Sequence, residues 1–528
     1  MTGEFSETVA KPRENDHVRK PRDSPPSPRD YPGMDLTPDA CYRAIETRDA
    51  RFDGRLFIGV TSTGIYCRPV CPARTPMRKN CTFHRSAAAA EEAGFRACLR
   101  CRPETSPDLG AWLGTSATVR RALTLIEGGA LDDGDVEALA GRLGVGDRQL
   151  RRLFKEHLGA SPVGVAQTRR VLLAKQLIHE TDLPMGEVAL AAGFGSVRRF
   201  NETFQRLYNR PPLALRRRGA RASDGESVKL HLRYKPPYDW DGLLDFLRLR
   251  AIPGVETVVG DTYSRTITVG EDAGTLSVSH ASDNRLAVEI RFPKLTALPT
   301  ILARVRRVFD LSADPLQIGE HLSVDPALAA MVAARPGLRV PGAWDGFELA
   351  VRAILGQQIS VPAAVKVAGR LAAEYGDPLA EGWARPGLTL TFPRPARMAG
   401  EDIAGLGLMP GARARAIGSI AAAVHADPAL FGPQASLEEA VLKLRALPGI
   451  GEWTAQYIAM RQLREPDAFP AADIGLMRAL EVGGVRPSPA ALLARAEQWR
   501  PWRAYAALHL WASDTVVLKA IADAKRAA

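Results

Sequence analysis

All six cysteines of this 528-residue chain fall between Cys41 and Cys101, and none follows Cys101. Thiols packed into one short stretch are not the staples of a secreted fold. In a chain kept in a reducing compartment they read as metal binding or catalysis. Cys67 and Cys71 are separated by three residues and Cys98 and Cys101 by two. Each pair can bite one ion from its own turn, which is how four thiolates close a tetrahedral zinc site. The same spacing also serves a knuckle whose ion only folds a small domain. The surroundings favour more than that. Thr61, Thr63, Arg68, Arg74, Arg78, Lys79, Arg96, Arg100 and Arg102 form a cationic collar suited to a phosphodiester backbone. Cys81 and His84 could offer a substitute ligand pair, but Cys41 and Cys81 read rather as buried small hydrophobes and His84 as a surface imidazole.

Lys and Arg exceed Asp and Glu by +11, and only 12 of the 70 bases are Lys. Arg binds phosphate bidentately, so this surplus points to nucleic acid, although a GC-rich genome writes Arg for Lys as well. The 46% hydrophobic content supports packed cores and excludes wholesale disorder. No run of 18 apolar residues occurs, so no membrane span is expected. The charged N-terminus lacks the apolar stretch of a signal peptide. The expected location is cytoplasmic and nucleoid-associated.

The length predicts about three to five domains. Residues 1–34 are Pro-rich and charged and read as a disordered arm. Residues 35–105 hold every cysteine, with Thr105-Ser106-Pro107 as a short hinge. Residues 112–218 show apolar positions at three- and four-residue steps, and 219–227 form a basic linker. Alternating segments within 228–297 (Val228–Leu232, Thr266–Val269, Thr275–Val278, Leu286–Ile290) read as antiparallel strands with one wet face. Helical patterning resumes over 298–520. The fold class is multidomain, mainly α with α+β parts: a small zinc domain, a tandem helix-turn-helix bundle, then an antiparallel-sheet subdomain with helix-hairpin-helix helices.

Two helix-turn-helix candidates lie in 112–218. In the first, Val136–Ala140 leads through Gly144-Val145-Gly146 to a helix with Leu150, Leu153, Phe154 and Leu158 inward and Arg148, Gln149, Arg151, Arg152 and Lys155 outward. In the second, Met185–Ala192 leads through Gly193-Phe194-Gly195 to a helix with Val197, Phe200, Phe204 and Leu207 inward. Ser196, Arg198, Arg199, Asn201 and Gln205 are left outward. Arg, Asn and Gln read major-groove edges bidentately, but a polar face is by default only solvated. Further on, Leu447-Pro448-Gly449-Ile450-Gly451-Glu452-Trp453-Thr454-Ala455 has helix-hairpin-helix form. Its glycines at 449 and 451 offer backbone N–H groups to a phosphate. Asp473 follows, either as a plain N-cap of the next helix or as a functional carboxylate as well.

Three resemblances attach to these words. Thr63–Cys71 and Ala93–Cys101 resemble the zinc domain of the Ada adaptive-response regulator. That likeness implies one four-thiolate Zn2+ held by Cys67, Cys71, Cys98 and Cys101. It implies Cys67 as acceptor of a methyl group from a DNA methylphosphotriester, with Thr63, Arg74 and Arg96 on the backbone. Methylation would remove one negative charge and so raise DNA affinity. Gly193–Ser196 and Tyr208–Pro212 resemble the AraC-type regulator signature, implying promoter contacts by Arg148, Gln149, Arg152, Ser196, Arg198 and Arg199 and a partnership with RNA polymerase.

The hairpin with Asp473 resembles the helix-hairpin-helix DNA glycosylase superfamily. Pro236–Trp240, Val351–Gln357 and Trp499–Tyr505 narrow the likeness to bacterial DNA-3-methyladenine glycosylase II. It implies Asp473 as the catalytic carboxylate, Phe246, Trp453, Tyr457 and Trp511 as walls of the base pocket, and Gly449, Gly451 and Thr454 on DNA. Gln358 stands at the wedge position, where an apolar residue is expected. A cationic alkylated base leaves without protonation, so one carboxylate suffices to stabilise the oxocarbenium-like sugar and orient water. No lysine lies between Lys443 and Lys519, so a Schiff-base step at the Trp453 position is excluded. The expected whole is a monomeric alkylation-response protein that acts on damaged and promoter duplex DNA. The rival is a transcription factor whose glycosylase part is a non-catalytic clamp.

Overall fold

The computed structural model describes residues 37–107, 117–216, 227–434 and 436–514. The expected arm, the basic linker and the extreme C-terminus lie outside these residues. Near the N-terminus, helix α1 (Pro38–Glu46) starts on a Thr37 cap with Pro38 in its first turn. It leads to β1 (Phe57–Val60), β2 (Ile65–Cys67), β3 (Cys81–His84), α2 (Ala87–Glu92) and β4 (Arg96–Ala97). The sheet order is β3-β1-β2-β4, with β2 and β4 parallel. Every residue of the central strand β1 is buried.

The helical middle comprises α3 (Ala117–Glu127), α4 (Val136–Arg142), α5 (Asp147–Leu158), α6 (Pro162–Glu180), α7 (Met185–Ala191) and α8 (Val197–Tyr208). In α5 the stripe Leu150, Phe154 and Leu158 recurs every four residues and is buried. In α8 the rings of Phe200, Phe204 and Tyr208 stack in sequence, with centroids 4.8 and 5.6 Å apart. Helix α6, 19 residues long and capped by Ser161, joins the two helix-turn-helix units.

The remainder opens with β5 (Val228–Arg233), α9 (Trp240–Arg248), β6 (Glu256–Val259), β7 (Thr262–Val269), β8 (Asp272–Ala281) and β9 (Arg285–Arg291). The antiparallel order is β5-β9-β8-β7-β6. Alternation marks β5, β7, β8 and β9 in the sequence. The short edge strand β6 and helix α9 carry no such period. Helices follow: α10 (Leu298–Val308), α11 (Pro315–Leu322), α12 (Pro326–Ala334), α13 (Gly346–Leu355), α14 (Val361–Tyr375), α15 (Pro395–Met398), α16 (Gly411–Ala426), α17 (Leu437–Arg445), α18 (Glu452–Arg461), α19 (Ile474–Ala479), α20 (Pro489–Ala496) and α21 (Arg503–Ser513).

Three large cores organise these parts. One is continuous from the apolar faces of α6–α8 across the five-stranded sheet to α10. A second gathers α13, α14, α16 and the start of α18, and a third gathers α11, α12, α21 and the end of α18. Helix α18 therefore bridges the second and third cores, and its one-sided residues face the seam between them.

Buried ion pairs tie the modules together. Lys175 on α6 and Glu104, both with fully buried side chains, meet at 2.7 Å. Glu465, just beyond α18, accepts from Arg120 at 2.8 Å and from Arg121 Nε at 2.9 Å, both on α3. Asp314 takes Arg55 from the cysteine module and Lys235 from the strand side. The expected hinge at Thr105 is not free either, because the Thr105 hydroxyl accepts from Arg68 at 2.9 Å.

Candidate functional site

The parallel register of β2 and β4 sets Tyr66 opposite Ala97, so Cys67 and Cys98 emerge side by side at the same sheet end. Cys71 and Cys101 arrive from the turns that follow. The Arg68 N–H donates to Cys101 Sγ at 3.4 Å and the Arg100 N–H to Cys98 Sγ at 3.3 Å. The four sulfurs lie within 4.8 Å of one another. A tetrahedral zinc about 2.3 Å from each sulfur spaces them by roughly 3.8 Å, so a small contraction closes the shell. Four thiolates this close repel one another, so they ionise together only with a cation among them. The donor set is that of one four-thiolate Zn2+ site.

Around it, Thr63, Arg74, Lys79 and Arg100 are exposed and Arg96 is partly covered. Two members of the expected collar are structural instead. Arg68 is buried against Asp53, with Nε donating at 2.7 Å, and also donates to the Cys101 carbonyl at 3.0 Å. Arg102 pairs with Glu104 and Glu180. A guanidinium spent on buried acceptors cannot also meet a phosphate. Cys41 and Cys81 are buried, as expected, and burial pushes both thiols up to about 11. His84 is only partly exposed, and burial lowers it to about 4, which corrects the surface reading.

On the helical middle, Arg148, Gln149 and Arg152 are exposed on α5, and Ser196, Arg198 and Arg199 on α8. The Ser196 hydroxyl caps α8 by accepting from the Arg199 N–H at 3.1 Å, and Arg198 pairs with Glu202 at 2.8 Å. Val197 is 40% exposed, against the inward placement expected from its period. It is the first residue of α8, one step before the stripe that begins at Phe200 engages the core.

In the C-terminal third, α17 and α18 form the hairpin. Gly449 has φ +80°, and a Cβ there would meet Ala416 Cβ at 2.5 Å. Gly451 is different: it caps α18 in an ordinary extended conformation, and a Cβ there would meet nothing. Only Gly449 is required by the turn, and Gly451 leaves an open backbone approach. Thr454 is 2% exposed and its hydroxyl accepts from Gln357 at 3.3 Å, so the side chain faces inward rather than toward DNA. Gln358 is exposed on the loop between α13 and α14.

Asp473 caps α19 and does more than cap. Its Oδ1 accepts from the Gly475 and Leu476 N–H groups at 2.8 and 3.1 Å and from the Trp511 indole at 2.9 Å. Its Oδ2 accepts from the Trp453 indole at 2.8 Å. Trp453 stacks on Tyr457, with centroids 5.2 Å apart and planes 10° apart, and Trp511 meets Tyr457 edge-on at 6.3 Å. The carboxylate thus sits at the seam of two cores beside three aromatic rings.

Phe246 stands apart from that group. Arg250 lies 3.8 Å and Arg461 4.8 Å from its ring centre. A small cavity of about 40 Å3, roomy enough for water, lies beside it. Its ring face carries the protein's own guanidiniums, and Arg461 also lies 5.2 Å from the Tyr457 ring centre. Arg461 also bonds the Tyr457 hydroxyl. Burial alone would raise that phenol, but Arg461 and Arg250 overcome it and leave it below its ordinary range. Neither arginine was marked by any motif; their sequence signal is only Arg at a helix end.

The parts define a class: a DNA-directed regulator with a metal knuckle, joined to a fold of the hairpin-and-aspartate type. Family models match in three places: the metal binding domain of Ada over 40–104, a helix-turn-helix domain over 139–218, and the AlkA N-terminal domain over 229–345. The chain is 43% identical over 480 residues to the probable bifunctional transcriptional activator/DNA repair enzyme AlkA of Mycobacterium tuberculosis, covering 90% of this chain and 96% of that protein. It is 38% identical to DNA-3-methyladenine glycosylase 2 of Escherichia coli over 54% of this chain and 96% of the relative. It is 36% identical to the Escherichia coli bifunctional transcriptional activator/DNA repair enzyme Ada, over 30% of this chain and 43% of that protein. The chain belongs to the family of bifunctional transcriptional activator/DNA repair enzymes of the AlkA type.

Proposed function

We propose that this chain is a monofunctional DNA glycosylase for alkylated bases such as 3-methyladenine, and that its N-terminal half senses methylphosphotriesters and binds promoter DNA. The observation that carries the enzyme reading is Asp473, held by two indole N–H groups next to a stacked aromatic pair. A base flipped from the duplex meets the faces of Trp453, Tyr457 and Trp511, and a cationic base is attracted to such electron-rich rings. Three donors fix Oδ1, whereas Oδ2 has acceptor capacity in hand to face the developing sugar cation and orient water. The alkylated purine already carries its positive charge, so the glycosidic bond breaks without a second acid. The exposed N–H groups around Gly451 and the α18 N-terminus hold a backbone phosphate.

At the other end, Cys67 sulfur attacks the methyl carbon of a neutral phosphotriester. An S–C bond forms, the C–O bond breaks, and the oxygen leaves with its electron pair as a phosphodiester. The metal supplies the positive charge that keeps the thiols deprotonated at neutral pH. Arg74 and Arg96 meet the flanking backbone, and the site loses one negative charge, which favours DNA binding. The exposed faces of α5 and α8 read the promoter, in the cytoplasm and with RNA polymerase as the partner of the activated form.

One incubation with methylated duplex tests both halves. The full chain should release free 3-methyladenine and gain a single methyl on Cys67, read by mass spectrometry. Asp473→Asn should lower base release by about 100-fold or more, because an amide replaces a charged oxygen at the reacting sugar. Unchanged release by this variant favours the non-catalytic clamp, and an unmodified Cys67 favours a purely structural zinc.

A further inference from the structure

We infer that Ile359, the neighbour of Gln358, is the apolar side chain that enters the base stack when the damaged base leaves it. The inference rests on the glycosylase reading above. Proteins that kink and unstack duplex DNA through the minor groove do so with apolar wedges, because an alkyl group can replace base–base contact without leaving polar atoms unpaired. Gln358 brings donors and acceptors to that task. Ile359 brings none, and it is 37% exposed.

The loop that carries it is firmly founded. Helix α13 is buried along nearly its whole length. Its Arg352 donates to Glu348 at 2.9 Å and to the Arg250 carbonyl at 2.7 Å. Beyond the α13 cap at Gly356, Gln357 is tied to the hairpin: its side-chain amide donates to the Gly449 carbonyl at 3.1 Å and to Thr454 at 3.3 Å. Its own carbonyl accepts from Arg413 of α16 at 2.6 Å. Gln358 then takes φ +61°, a left-handed conformation that a non-glycine residue keeps only where its surroundings enforce it. Ser360 caps α14 immediately afterwards. The two-residue tip Gln358-Ile359 is thus clamped on both sides. It stands two residues from a side chain bonded to Thr454, and Thr454 adjoins Trp453, a ligand of Asp473. A wedge must be held firmly at the DNA-facing hairpin, and Gln357 ties this tip to that hairpin through Gly449 and Thr454.

The competing role for Ile359 is local. It precedes the Ser360 cap, the position from which a hydrophobic staple would pack on Ala364 in the first turns of α14. Base release by the full chain separates the two roles when one lesion is presented in two ways: paired in a duplex, and unpaired in a bulge that needs no wedge. Ile359→Ala should slow single-turnover release from the paired lesion by about tenfold or more and leave the bulged lesion within about twofold. Ile359→Leu should restore the paired rate. Equal losses on both substrates identify a staple and overturn the wedge, as does an unchanged paired rate. So does a paired-only loss in Gln358→Ala with none in Ile359→Ala. If the unaltered chain releases no base from either substrate, the glycosylase reading itself fails, and the wedge fails with it.

Discussion

The two oxygens of Asp473 are not equivalent. Oδ1 is spent on the α19 cap and the Trp511 indole, while Oδ2 has only the Trp453 indole. Trp453→Phe keeps a ring against Tyr457 but deletes the one donor that aims Oδ2. A hydrogen bond to a charged group is worth about 1.5–3 kcal/mol, so the base-release rate should fall roughly 10- to 100-fold with little change in KM. An unchanged rate would mean that the indole packs and does not aim. Asp473 and the tryptophans were legible as separate motif residues, 20 and 38 positions apart. Their mutual bonds were not, because no spacing rule reports which side chains converge across a seam of cores. The same blindness misplaced Arg68 and Thr454. Both read as DNA contacts by type and neighbourhood, and both are drawn inward by partners distant in the chain, Arg68 by Asp53 and Thr454 by Gln357.

At the scale of elements, the hairpin separates two glycines that the sequence presents alike. Gly449→Ala forces a side chain into a left-handed position and into Ala416, so thermal stability should drop along with activity. Gly451→Ala meets nothing and needs no unusual φ, so the melting temperature should hold within the effect of about 1 kcal/mol. The new methyl group still stands where a phosphate would approach the N–H groups, so affinity for an abasic duplex should fall. If Gly451→Ala leaves that affinity unchanged, the open face at Gly451 has no role in binding. Strands β5, β7, β8 and β9 were legible from alternation, and α5 and α8 from their four-residue stripes. Edge strand β6 was missed because its four residues are too few to show a period. Val197 misled for a related reason: a helical period does not say where the first turn leaves the core.

Across the whole molecule, no motif announces that the modules touch, yet buried charges link them pairwise. Glu465 is 5% exposed and pairs with Arg120 and Arg121 on α3 of the helical middle. Removing one partner of a buried pair costs about 3–5 kcal/mol, so Glu465→Ala should lower the first calorimetric transition and split a joint unfolding step into two. A single unshifted transition would show that the pair adds nothing to the joint. Surface-exposed pairs such as Arg198–Glu202 carry no such expectation, since solvent screens them.

Lys175 and Glu104 carry this point furthest. Both side chains are fully buried. Separating the two modules would strand the Lys175 ammonium without the Glu104 carboxylate, while Glu104 keeps Arg102. A solitary helical middle would call for a neutral residue at position 175. The cysteine module and the helical middle are thus fitted to one another: a cysteine module borrowed from elsewhere would arrive without the carboxylate that Lys175 needs.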